Sequence, residues 1–192
     1  MPIRVLIAAI LAGVVTFLFG FVSHMLFDTD AKLFGRVADE APLLASVARS
    51  LPGPGVYALP QMPQTQGMGG KAKAAAMQSY MEAIKGRPFT LIVQTAPRAT
   101  FIDPRQLVNQ LLGDIASCLC VAIILSLAAP ASYGGRVVVA IFAVLTGALM
   151  VRIPQGNWYG FGRSWTTISL GDDVVRMLGG ALVLAAMIRP RR

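Results

Sequence analysis

The sequence predicts an all-α membrane protein: a four-transmembrane-helix bundle with a small α+β extracytoplasmic insert between helices 1 and 2. Four apolar stretches, 5–27, 111–129, 137–151 and 177–188, alternate with charged or Pro/Gly-rich segments. The first runs 23 residues without a formal charge, about 35 Å as a helix, which exceeds the roughly 30 Å of hydrocarbon it has to cross. Composition agrees: mean hydropathy is +0.64 and only 14% of the 192 residues are charged, against about 25% in an ordinary soluble domain.

The expected order is helix 1 over 1–27, an extracytoplasmic module over 28–105, helix 2 over 106–129 and a cytoplasmic turn over 130–136. Helix 3 follows over 137–153, then an aromatic interfacial loop over 154–173, and finally helix 4 with a basic tail over 174–192. Helix 1 is too long for the usual 7–15-residue core of a cleaved signal, and no A-x-A site precedes Asp28, so it reads as a retained anchor. Ala9, Gly13, Thr16, Gly20 and Ser23 recur at helical spacing along one of its faces. Small residues in such a stripe let another backbone come close, which drives helix association in lipid. Ile7, Leu11, Val14, Leu18 and Met25 lie opposite and are expected to face lipid or to fill gaps in the bundle.

Helix 2 begins polar, and Gln110, Asp114 and Ser117 share a face. An unpaired carboxylate at the depth of Asp114 costs several kcal/mol. Its expected partners are Arg176, near the start of helix 4, and His24, near the end of helix 1. Cys118 and Cys120, two residues apart, point to different faces, cannot bridge, and read as buried packing thiols. Helix 3 is short, with Arg136 and Arg152 expected to carry their charges out to the two surfaces. The loop after it gathers Trp158, Tyr159, Phe161 and Trp165, an interfacial belt or partner-contact surface. In helix 4, Gly179 and Gly180 predict close packing against a neighbour.

Within the module, the apolar spacing over 30–50 predicts two short amphipathic helices broken or kinked at Pro42. Residues 56–59 read as a brief strand, 71–85 as a helix stopped at Gly86, and 89–95 as the clearest strand. Two strands alone are marginal in water, so this module calls for a cover: helices, membrane or a partner.

The net charge of +8 is scattered and forms no basic run on a soluble helix, which argues against nucleic acid as a partner. Arg4, Arg136, Arg189, Arg191 and Arg192 fall on one side of four alternating spans. The positive-inside rule then puts both termini in the cytoplasm and residues 28–105 in the periplasm, a long loop crossing regardless of its own charge. One histidine excludes paired axial haem ligands and three-histidine zinc within the chain. Gly70-Lys71 lacks the leading glycine and the following Ser/Thr of a phosphate loop. No cofactor and no catalytic residue is expected.

Gly55-Val56-Tyr57 with Leu59-Pro60, Gly86 with Pro88-Phe89, and Ile153-Pro154 with Asn157-Trp158-Tyr159-Gly160-Phe161 together resemble a set of uncharacterised bacterial inner-membrane proteins with four spans. The resemblance implies that location and no particular activity. The leading functional expectation is a non-catalytic accessory or assembly subunit of a larger inner-membrane complex, with membrane lipids and other integral membrane subunits as partners. The alternative is a small proton- or ion-coupled transporter or channel using Asp114, Arg176 and His24. A membrane enzyme with Asp103, Asp172 or Asp173 as acids ranks last.

Overall fold

The structure, a computed structural model, describes residues 3–27, 29–100 and 102–189. Its elements are α1 (Ile3–Leu26), α2 (Thr29–Leu33), α3 (Glu40–Ser50), β1 (Gly55–Leu59), α4 (Gly70–Ile84), β2 (Thr90–Gln94), α5 (Pro104–Ala128), α6 (Tyr133–Tyr159) and α7 (Arg163–Met187). The fold is mostly helical and divides into two compact units, 1–36 with 98–192, and 37–97. The basic-tail residues Arg191 and Arg192 lie outside the described residues.

In the first unit α1, α5 and α6 are long and apolar enough to cross a membrane. α7 has 25 residues, but Asp172, Asp173 and Arg176 at its middle set it apart from those three. α1 and α6 run antiparallel to α5 and α7: Gly20, late in α1, lies against Arg176, and Arg176 reaches Asp114 in the first half of α5. The buried cluster joins Ala8, Ala9 and Ala12 of α1 to Cys118, Ala122 and Leu125 of α5 and to Ala181 and Leu184 of α7. Small side chains dominate it because in lipid close van der Waals approach, and not removal of apolar surface from water, holds helices together.

α1 shows the rule residue by residue. Ala9, Gly13, Thr16 and Gly20 are buried, while Ile7, Leu11, Val14, Leu18 and Met25 are exposed. A methyl group on Gly13 would sit 2.6 Å from the Cα of Ile115, so α1 and α5 touch backbone to backbone there. Gly179 likewise admits Val15 and Phe19, and Gly180 admits Thr16.

The expected loop over 154–173 is corrected: α6 continues through Pro154 to Tyr159 and α7 begins at Arg163, so only 160–162 connect them. Pro154 removes a single ladder donor, the one that would reach the Met150 carbonyl, and membrane helices accommodate such a loss. What stops α6 is Gly160, at φ 72°, a left-handed conformation that glycine adopts without steric cost. The Phe161 N–H then returns to the Gln155 carbonyl at 3.2 Å. At the other end α6 starts at Tyr133, inside the expected 130–136 turn, because the Ser132 hydroxyl accepts from the Gly135 N–H and caps the helix. Asp103 does the same for α5, in a capping box with Gln106 and with Pro104 at the first helical position.

In the second unit β1 and β2 pair antiparallel, with Val56 opposite Val93 and Tyr57 opposite Ile92. The Tyr57 hydroxyl donates to the Gly53 carbonyl at 2.8 Å, and the Tyr80 hydroxyl of α4 to the Pro60 carbonyl at 3.3 Å. Gly86, at φ 73°, turns the chain out of α4. The expected break at Pro42 is corrected: Pro42 is the third residue of α3, where its missing N–H has no intrahelical partner to lose. α2 and α3 are separated instead by 34–39. No residue of 37–97 is buried.

Candidate functional site

Charged and polar side chains from four helices meet in one layer of the helical unit. The carboxylate of Asp114 is nearly buried, at 7% exposure. It accepts from Gln110 Nε2 at 3.0 Å, one helical turn earlier, and from Arg176 Nη2 at 3.2 Å on α7. Gly20 forms the seat of that arginine: a methyl group there would lie 2.6 Å from Arg176 Nε. Arg176 Nε is buried and has no hydrogen-bond partner among the described residues. Gly20 therefore serves the guanidinium, where helix-to-helix contact is the expectation for it.

A second pair lies beside the first. Arg152 donates from Nε and Nη2 to the two oxygens of Asp173, at 2.9 and 3.1 Å, and from Nη1 to Gln155 at 3.2 Å. Such a bidentate fork fixes orientation as well as charge. The expectation that Arg152 carries its charge out to the surface is corrected, because Asp173 lies within reach at its own depth. Asp172 turns the other way, toward α1. It accepts a hydrogen bond from the Ser23 hydroxyl and faces His24, with Nε2 3.8 Å from its Oδ2. His24 thus joins the layer through Asp172, and Asp114 and Arg176 pair directly.

Thr16 underlies the layer, its hydroxyl 3.6 Å from Cys118 Sγ and 3.7 Å from Met177 Sδ. Cys118 is buried as expected of a packing thiol, but Cys120 is exposed. It lines a cleft of about 470 Å³ formed mainly by α5, α6 and α7. Asp114, Arg176, Arg152 and Asp173 border the same cleft, together with Gln110 and Ser117.

At the opposite end of the helices Arg136 is buried, at 7% exposure, although a surface position is expected for it. Its Nε donates to the Ala185 carbonyl at 2.7 Å and its Nη1 to the Pro130 and Ala131 carbonyls at 3.2 and 3.0 Å. Carbonyls in the last turn of a helix have no intrahelical donor. Arg136 supplies one at the end of α7 and ties it to the α5–α6 connection.

The aromatic group divides in two. Trp158 and Tyr159 are exposed, at 75% and 51%. Phe161 and Trp165 turn inward: their ring centroids are 5.0 Å apart, and Trp165 meets Phe34 edge-on at 5.3 Å. Of the four expected contact residues, Phe161 and Trp165 are thus half-buried and joined to each other, and Trp165 also to Phe34 just past α2. Sequence reasoning does not reach the Arg152–Asp173 and Ser23–Asp172 contacts or the cleft. The Gly-Phe-Gly turn at 160–162 is the signal for the first of them, since an antiparallel hairpin around it brings 152 and 173 level.

Among the described residues no group of three His, Cys, Asp or Glu side chains is placed to hold a metal ion. No family model, no curated protein and no solved structure matches the chain.

Proposed function

We propose that the protein is a non-catalytic accessory or assembly subunit of a larger membrane complex, its helical unit anchored in a bacterial inner membrane. The observation that carries this reading is residues 37–97, where no side chain is buried while Leu44, Val56, Met62, Met81 and Val93 are each at least 58% exposed. A two-stranded sheet and two helices without a core are marginal by themselves in water. A covering subunit supplies the missing core. α7 is the fourth crossing in this reading, antiparallel to α1, with both termini cytoplasmic and the module periplasmic.

The charge layer supports a structural role. Asp114, Asp172 and Asp173 each already accept hydrogen bonds from another helix, and Asp103 is engaged in capping α5, which leaves the acids of an enzymatic reading committed elsewhere. Isolation in mild detergent tests the proposal: a stoichiometric integral-membrane partner is expected, lost when Val56 and Val93 are both replaced by Ser. Migration of the intact chain alone overturns it.

The cleft favours a second reading, a small transporter or channel, because two ion pairs border a cleft between helices. There Asp114→Asn abolishes proton or ion flux in liposomes while the fold persists. Equal flux in Asp114→Asn and the parent chain overturns that reading.

A further inference from the structure

The cleft has two unlike ends. Along α5 its lining passes from Asp114 through Ser117 to Ile124, and along antiparallel α6 from Arg152 through Gly147 to Val144. Polar atoms therefore gather at one end and hydrocarbon at the other. At the polar end the charges cancel pairwise, Arg176 against Asp114 and Arg152 against Asp173. A head group with its own net charge finds no counter-charge left over there and bears its full desolvation cost. An uncharged hydroxyl or carbonyl bears little of it and can share hydrogen bonds with Ser117 and the arginine donors. About 470 Å³ falls within the roughly 300–1,000 Å³ of small-molecule sites and suits one hydrocarbon chain with a compact head.

We infer that the cleft binds a single-chain membrane amphiphile with an uncharged, hydrogen-bonding head, the head beside Ser117 and the Asp114–Arg176 pair and the chain running toward Ile124 and Val144. Gly147 is the point of control. It borders the cleft, and a Cβ placed on it meets nothing within 4 Å, so a larger side chain enters the cleft instead of striking a neighbour.

The experiment uses the full chain purified in detergent and a long-chain alcohol carrying a diazirine in its chain and a terminal alkyne. After illumination, adducts are mapped by mass spectrometry. They are expected on the α5 and α6 residues that line the cleft, suppressed by excess unlabelled hexadecanol. Gly147→Phe should reduce them roughly tenfold, a large effect of overpacking. Met150→Phe, which adds bulk at an α6 position that is 74% exposed, should retain them. Competition on the unaltered chain gives its answer whether or not Gly147→Phe folds. Adducts spread over exposed α1 and α6 surfaces and insensitive to hexadecanol reveal bulk lipid contact only and overturn the inference. Equal or stronger labelling by the corresponding long-chain carboxylate overturns the uncharged head. The label is read on the isolated chain, so failure to find a partner subunit leaves this result standing.

Discussion

The seam between α1 and its neighbours and the seam between α5 and α6 are built from similar residues and come out opposite. Around α1, Ala8, Ala9 and Ala12 are fully buried, and Gly13 brings the α5 backbone to contact distance. Between α5 and α6, Gly147 has open space over its Cα and a cleft of about 470 Å³ remains. Small residues permit close approach without compelling it. What closes the first seam is matching on both sides, glycine against Ile115 and glycine against Thr16. At the second seam both ion pairs run to α7, Arg152 of α6 to Asp173 and Asp114 of α5 to Arg176, so the layer ties α5 and α6 each to α7 and not to one another.

The largest test of that contrast removes one charge from the layer. Asp114→Leu leaves the Arg176 guanidinium uncompensated beside Gly20, and an orphaned buried charge costs about 3–5 kcal/mol. The expected result is a strongly lowered unfolding midpoint in detergent, with most of the loss recovered when Arg176→Met is added. Equal midpoints for the single and double variants would show that the pair is not coupled. Next in size is Arg136→Leu, which strands the carbonyls of Pro130, Ala131 and Ala185. Loss of charge-assisted hydrogen bonds of this kind costs about 1.5–3 kcal/mol. Hydrogen exchange should rise at the last turn of α7 and in the α5–α6 connection before it rises elsewhere. Uniform exchange would instead mean that Arg136 does not tie these ends together.

Much of the closed seam was legible in the chain. The 4,3,4,3 spacing from Ala9 to Ser23 announces a packing face because one helix suffices to define it, and Asp114 demands a partner because a lone carboxylate in lipid is too costly. Arg176 and His24 are the bases expected at that depth, and both stand in the observed layer. The open seam was not legible, since it depends on how two helices fail to meet. Arg152–Asp173 is hidden by the loop expected over 154–173, which leaves Asp173 outside a helix and level with nothing. Arg136 was misplaced for a related reason, because the positive-inside rule assigns a side of the membrane and is silent on whether an arginine there turns inward to cap a neighbouring helix.

The smallest expected effect is also the sharpest, because it makes one chemical change at both seams. Gly13→Ala puts a methyl group 2.6 Å from the Ile115 Cα. α1 and α5 must separate, at a cost of about 1–3 kcal/mol for a strained core. Gly147→Ala meets nothing within 4 Å and gains what alanine gains over glycine inside a helix, roughly 0.5–1 kcal/mol. Thermal unfolding in the same detergent should therefore move down for the first and slightly up for the second. If both fall, the α5–α6 seam closes in solution and the space over Gly147 does not persist. If both rise, the backbone contact at Gly13 is looser than its geometry requires, and helix propensity governs each site alone.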